Sequence, residues 1–269
     1  MSFLDGNAIT SLTSEGAENS SIINTLVIGA SRGIGLGFVE KLLLDNRITK
    51  VYATYRDSES ASGLFALLDA YPNKLTCFAV DIIDEEQIAK CVEKIRTDTD
   101  KLHFAINCVG ILHDRNLQPE KSLRQINVEN LTRYFQVNSI ASVLLAKHLQ
   151  PLFKHKENSV FATISAKVGS IGDNQSGGWY GYRASKAALN MLMRNVSIEY
   201  GRSCPKAIVV TLHPGTTDTN LSQPFQKNVP PEKLFSVERT VNQLFSVIEK
   251  LQATDTGQFF SWDGSKLPW

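Results

Sequence analysis

Two side chains four residues apart, Tyr182 and Lys186 in the run GWYGYRASKAALN (178–190), have the types and spacing for proton transfer. On a helix, positions i and i+4 lie one above the other on one face. An ammonium beside a phenol stabilises the phenolate and draws its pKa down from about 10, so that the phenol can exchange a proton with a carbonyl or hydroxyl oxygen. A second cluster is GASRGIG (29–35), which follows an apolar run and opens a helical pattern. Glycines there let the backbone turn tightly and approach a pyrophosphate, while the free N–H groups and positive end of the helix meet its charge. Ser31, Arg32 and Ile34 lie within this segment. A third group, Thr54-Tyr55-Arg56-Asp57, ends the next apolar run. A carboxylate at that place accepts from a ribose 2′-hydroxyl, whereas arginine accommodates a 2′-phosphate. Arg56 with Arg32 makes a two-guanidinium clamp that favours NADP over NAD, with Asp57 as a ribose reader in the alternative register.

Elements must hold these groups in place. Apolar runs at 22–28, 51–55, 75–80, 104–108, 160–164 and 208–212, with a last one at 259–262, read as strands covered on both faces. Helical patterns lie between them, as at 84–96, where Asp84 and Gln87 resemble a capping box and Ile88, Ala89, Val92 and Ile95 share a face. Alternating strands and helices predict an α/β Rossmann fold, a doubly wound parallel sheet with helices on both faces and its ligands beyond the carboxyl ends of the strands. Residues 1–21 read as a loose arm and 22–269 as one domain, with a substrate loop at about 220–236 containing Phe225, Val229 and Leu234.

The 269 residues carry 28 Lys+Arg against 27 Asp+Glu, a balance that disfavours nucleic acid and anionic membrane surfaces as partners. No apolar stretch approaches the ~20 residues that span a bilayer. Four separated cysteines without C-x-x-C spacing fit reduced thiols and offer no metal site. The first basic residue is Arg32, so the N-terminus has neither a basic signal-peptide region nor an Arg-rich presequence. A cytoplasmic location is expected. Cys108 and His213 read as structural, and His113 and Asp114 as polar loop residues near the sheet's carboxyl edge.

Taken together, these residues make the chain resemble the short-chain dehydrogenase/reductase family from Thr25 onwards, and within it the C-factor and Sniffer type of carbonyl reductase. The cofactor glycines match Gly29, Gly33 and Gly35; the adenine-side acid matches Asp81, followed by Ile82; an altered Asn-Asn-Ala-Gly motif appears as Asn107, Cys108, Val109, Gly110. Asn138, Tyr182 and Lys186 match the active-site residues, and Pro214-Gly215 the turn after the sixth strand, with Thr217 and Thr219 nearby. The subgroup likeness rests on Gly169-Ser170-Ile171 and the GGWY lead, on LHPG (212–215), and on the ending WDG…LPW. The resemblance implies an NADP(H)-dependent oxidoreductase acting on a small carbonyl or alcohol. Tyr182 would move the proton, Lys186 would also bond the nicotinamide ribose, and Asn138 would hold a relay water. A homodimer or homotetramer through the long helices is implied as well.

The resemblance also implies a catalytic serine after the fifth strand, as the second residue of a Ser-Ser pair three before a glycine, and here that serine is displaced. Counting back three from Gly169 reaches Ala166, while Ser165 stands one residue early and seventeen before Tyr182. Along an extended strand, one residue of offset points a side chain to the opposite face. Ser165, Ser170 or no serine therefore completes the site. The altered serine also motivates a second reading, a nucleotide-binding signalling or sensor protein in which turnover is incidental.

Overall fold

The computed structural model describes residues 22–269; the arm expected at 1–21 lies outside the described residues. The chain runs β1 (Asn24–Ile28), α1 (Gly33–Leu44), β2 (Lys50–Tyr55), α2 (Ser62–Ala70), β3 (Leu75–Ala79), α3 (Glu85–Asp98), β4 (Phe104–Asn107) and α4 (Val128–Phe135). It continues through α5 (Ala141–Phe153), β5 (Ser159–Ile164), α6 (Tyr180–Ser203), β6 (Ala207–His213), β7 (Thr216–Thr217), β8 (Leu234–Phe235), α7 (Val237–Glu249) and β9 (Phe259–Ser261). Seven strands form one parallel sheet in the order β3-β2-β1-β4-β5-β6-β9. The strand order reverses between β1 and β4, the place where a doubly wound sheet opens a crevice at its carboxyl edge.

Strand alternation divides the core. Val27, Ile106, Ala162 and Val210 face a cluster completed by Phe38, Val39 and Leu42 of α1, Leu64 of α2 and Leu244 of α7. Leu26, Ala105, Phe161 and Val209 face the opposite cluster, built with Ile88 and Val92 of α3, Leu145 and Leu149 of α5, and Leu189 and Met193 of α6. Every residue of β1 is buried, the polar Asn24 and Thr25 along with Leu26, Val27 and Ile28, as in a strand covered on both faces.

The expected strands are present with shifts of one or two residues at their ends. The capping of α3 differs in one detail. Asp84 accepts from the N–H groups of Glu86 and Gln87, but the Gln87 side chain accepts from the Asp81 N–H rather than that of Asp84. Between α4 and α5 the helix widens into one π-type turn, Gln136–Ile140. No sequence signal marked this turn, and it contains Asn138.

Candidate active site

At the end of β1 the backbone turns through Gly29 (φ +78°) and Gly33 (φ +55°), conformations that side chains with a Cβ rarely adopt. Gly35 is held by packing instead, because a Cβ there would stand 2.1 Å from the Gly29 carbonyl oxygen. A residue the sequence reading missed secures the loop: Thr54 of β2 accepts from the Gly29 N–H through Oγ1 (3.1 Å) and from the Ala30 N–H through its carbonyl (2.7 Å). Arg32 stands at the start of α1 without a side-chain cap, so Gly33, Ile34 and Gly35 present an uncapped, positively polarised helix end. Glycines that leave no room for a Cβ, at the open end of a helix, fit the pyrophosphate of a dinucleotide. Thr219 lies over this cradle, 3.3 Å from where a Cβ on Gly33 would be.

Arg32 and Arg56 are exposed. Asp57 is exposed as well and accepts from the Glu59 N–H. Asp81 turns its carboxylate back to the Ile83 N–H, and Ile82 is buried beside it. Asn107, wholly buried, accepts from the Val109 N–H (3.0 Å) and donates to Ser142 Oγ (2.9 Å), which fixes the turn through Val109 and Gly110. A Cβ on Gly110 would lie 3.4 Å from Lys186 Nζ and 3.5 Å from Asn138 Oδ1, so three expected site positions meet there.

Tyr182 lies in the first turn of α6, with Lys186 one turn on. Lys186 is 2% exposed, donates to the Ile164 carbonyl (3.0 Å), and stands 5.9 Å from the centre of the Tyr182 ring. Burial pulls the ammonium down to about 8. Burial also pushes the Tyr182 phenol up, the reverse of the lowering expected from its lysine neighbour. The reason is geometric: Lys186 is aimed at a main-chain carbonyl, and desolvation of the phenolate dominates. At neutral pH the phenol is therefore protonated. Asn138 accepts from the Ile111 N–H (2.7 Å) and donates to Ser185 Oγ (3.0 Å) and to the Ile111 carbonyl. The π turn thus pins the loop after β4 to α6.

Ser165 does not join them. Of the alternatives left open for the serine, Ser165 donates its hydroxyl to Asn190 Oδ1 at 2.7 Å, two helical turns beyond Tyr182. The strand alternation that buries Thr163 on the α6 side continues through Ser165 and turns it into the core. Ser170 is equally occupied, donating to the Trp269 carbonyl and accepting from the Asp173 N–H. From the same loop, Ala166 and Val168 pack against the cluster containing Tyr182.

That cluster forms an aromatic wall assembled from three segments. Tyr134 and Trp179 meet the Tyr182 ring edge-on at 6.2 and 6.1 Å, and Phe225 of the expected substrate loop meets Trp179 at 4.9 Å. Leu112 and Leu117 complete it. Trp179 adopts φ +51°, the one non-glycine among the described residues with positive φ. Glu120, another residue missed, caps α6 from a distant loop by accepting from the Gly181 N–H (3.1 Å). The Pro214-Gly215 turn bends at Gly215 (φ +74°) against Phe235 and Trp262. The Thr217 hydroxyl is turned away into the core, against Thr240 (2.9 Å). His113 bonds the Asn220 carbonyl, and Asp114 pairs with Arg133. Burial holds His213 neutral, pulling it to about 4, and burial likewise pushes the Cys108 thiol up.

A buried tyrosine with a lysine one helical turn on, and a glycine-rich turn at an uncapped helix end, thus share the carboxyl edge of a doubly wound sheet, where such sheets open their crevice. A family model described as short chain dehydrogenase matches residues 24–230, and the chain belongs to that family. The chain is 30% identical to an NADPH-bound carbonyl reductase from chicken fatty liver, with a TM-score of 0.82 over 92% of this chain and 99% of that one. The carbonyl reductase Sniffer of D. melanogaster is 26% identical, with a TM-score of 0.81 over 92% of this chain and 100% of that one. The C-signal protein of Myxococcus xanthus is 29% identical over 149 residues, 55% of this chain and 84% of that protein. The resemblance to the C-factor and Sniffer branch therefore holds. No helix among the described residues is long and apolar enough to cross a membrane.

Proposed function

We propose that this protein is an NADP(H)-dependent oxidoreductase that interconverts a small carbonyl compound and its alcohol, with Tyr182 as the proton donor and acceptor. The observation that carries this reading is the convergence of Lys186 and Asn138 on Gly110, with the Tyr182 ring 5.9 Å from Lys186 Nζ, at the same sheet edge as the Gly29–Gly35 cradle. Gly29, Ser31, Arg32, Gly33, Ile34 and Gly35 would hold the pyrophosphate, Arg32 and Arg56 the 2′-phosphate, and Asp81 and Ile82 the adenine. Asn107, Val109, Gly110, Lys186, Pro214, Gly215, Thr217 and Thr219 would line the nicotinamide end, Thr217 through its backbone. The bound nicotinamide supplies or takes up the hydride. The protein's own work is to hold Tyr182 protonated against a carbonyl oxygen, exclude water with the aromatic wall, and replace the proton along the side of Asn138 and Lys186.

A buried phenol kept in its acid form suits carbonyl reduction, where a proton must be given up to a developing alkoxide. The same pair argues against the sensor reading, since binding alone requires no proton donor. A cytoplasmic location and a homodimer or homotetramer through the long helices belong to this proposal. Titration with NADPH and NADH, followed by energy transfer from tryptophan to nicotinamide, tests it. NADPH should bind more tightly, and Arg56→Ala should weaken NADPH about tenfold or more while sparing NADH. Failure to bind either nucleotide sinks the proposal, and preference for NADH sinks the assignment of Arg56.

A further inference from the structure

The loop after β4 carries a carboxylate into the interior: Glu120 is 1% exposed. Burying such a group is costly unless its oxygens are bonded, and Glu120 directs its bonds to one short segment. Its main-chain carbonyl accepts from the Trp179 N–H, and its Oε2 accepts from the Gly181 N–H at 3.1 Å. Oε1 has no hydrogen-bond partner among the described residues and lies 3.0 Å from where a Cβ on Gly181 would be. The same Cβ would stand 2.3 Å from the Tyr134 ring. Glycine at 181 is what lets Glu120 and Tyr134 close on the helix, one residue before Tyr182.

The segment held in this way is strained. Gly177, Gly178 and Trp179 pass through three consecutive left-handed conformations, with φ of +61°, +65° and +51°. Glycine adopts them freely, whereas a tryptophan does so only where its surroundings impose it. The helix α6 begins at the next residue, and Trp179 makes no side-chain capping bond of its own. With the Trp179 and Gly181 N–H groups both directed at Glu120, that one residue grips the helix start on either side of Tyr180. The left-handed turn sets the Trp179 ring against both Tyr182 (6.1 Å) and Phe225 (4.9 Å). Relaxation of Trp179 to an ordinary φ would swing its Cα–Cβ bond away and remove the ring that Tyr182 packs against. Resting on the oxidoreductase reading above, we propose that Glu120 is a positioning residue for Tyr182: from the loop after β4 it clasps Trp179 and Gly181, holds Trp179 in its left-handed conformation, and so sets the Tyr182 ring for proton transfer.

The test separates the acceptor from the side chain that carries it. Wild type, Glu120→Ala and Glu120→Gln are compared in NADPH titration, in kcat with phenanthrenequinone as the test substrate, and in near-ultraviolet circular dichroism. The Trp179 band is identified by subtracting the spectrum of Trp179→Phe. Per NADPH-binding site, Glu120→Ala should lose about tenfold to a hundredfold in kcat, the effect of a reacting group moved by a fraction of an ångström to about 1 Å. Its NADPH dissociation constant should stay unchanged and its Trp179 band should be lost. Glu120→Gln keeps the acceptor for the Gly181 N–H; it should retain the band and recover kcat to within about threefold of wild type, well below the effect of displacement. Gly181→Ala presses a methyl group between Tyr134 and the Glu120 carboxylate, disturbs the same clasp from the helix side, and should reproduce the Glu120→Ala pattern, which keeps the inference testable if Glu120→Ala does not fold. A wild-type kcat in both alanine variants, a loss that Glu120→Gln shares in full, or an unchanged Trp179 band beside a lowered kcat would overturn the inference while leaving the oxidoreductase reading in place. NADPH binding with no turnover by wild type would overturn that reading and, with it, the role in proton transfer.

Discussion

Replacing Lys186 by Met should change how stability depends on pH, in a direction and by an amount that follow from the burial of its ammonium. The side chain is 2% exposed, and desolvation takes its pKa from 10.5 to about 8. A lysine lowered on folding binds fewer protons in the folded than in the unfolded state between those values. The cost of burying its charge is therefore fully present below about pH 8 and relieved as pH rises through 10.5. At 1.36 kcal/mol per tenfold change in proton affinity, that cost is about 3 kcal/mol at neutral pH. Methionine keeps the stem and removes the charge. It also forfeits the bond to the Ile164 carbonyl, a loss of about 1 kcal/mol that does not vary with pH. In urea denaturation of the nucleotide-free protein, the stability of Lys186→Met relative to wild type should fall by about 2 kcal/mol between about pH 7.5 and 9.5. Subtracting one curve from the other removes the buried tyrosines and cysteines, which titrate in both proteins. A difference that stays constant across this window would refute the reasoning, because it would mean that Lys186 is solvated as a charge in the folded state.

Gly35→Ala should abolish NADPH binding and lower thermal stability, since the added methyl would meet the Gly29 carbonyl at 2.1 Å; titration and a melting curve check it, and an unaltered affinity would remove the cradle from the account. Ser165→Ala breaks a buried bond to Asn190, whose Nδ2 already lacks a partner, and should cost about 1–3 kcal/mol in denaturant. Its kcat/KM should change little, and a loss of about a hundredfold with stability intact would return Ser165 to the substrate oxygen.

Much of this architecture was legible because it depends on local sterics and patterning. Consecutive apolar residues, as Leu26, Val27 and Ile28 are in β1, have to be covered on both faces. A glycine loop between such a strand and a helix leaves few alternatives for the backbone. The same logic of alternation correctly offered the inward orientation of Ser165 as an option. What stayed hidden depends on distant partners. Thr54 reads as an ordinary β-branched strand residue until the Gly29 loop is folded against it. Glu120 stands 61 residues from the Gly181 N–H that it caps, and the residue preceding that helix, Trp179, makes no side-chain capping bond of its own. The π turn at Asn138 has no compositional mark. Tyr134, Trp179 and Phe225 form a wall only after three separate segments converge. The protonation state of the Tyr182–Lys186 pair escaped for a related reason: spacing places the groups on one face but says nothing of how deeply they are buried.

The central claim is that Tyr182 passes a proton to a carbonyl oxygen while the cradle holds the nucleotide. Its most direct test is the rate of NADPH oxidation by a quinone, measured in wild type and in Tyr182→Phe alongside the NADPH dissociation constant. Turnover should fall by about 10²-fold or more with nucleotide affinity unchanged. A Tyr182→Phe protein that binds NADPH normally and turns over at the wild-type rate would contradict the account.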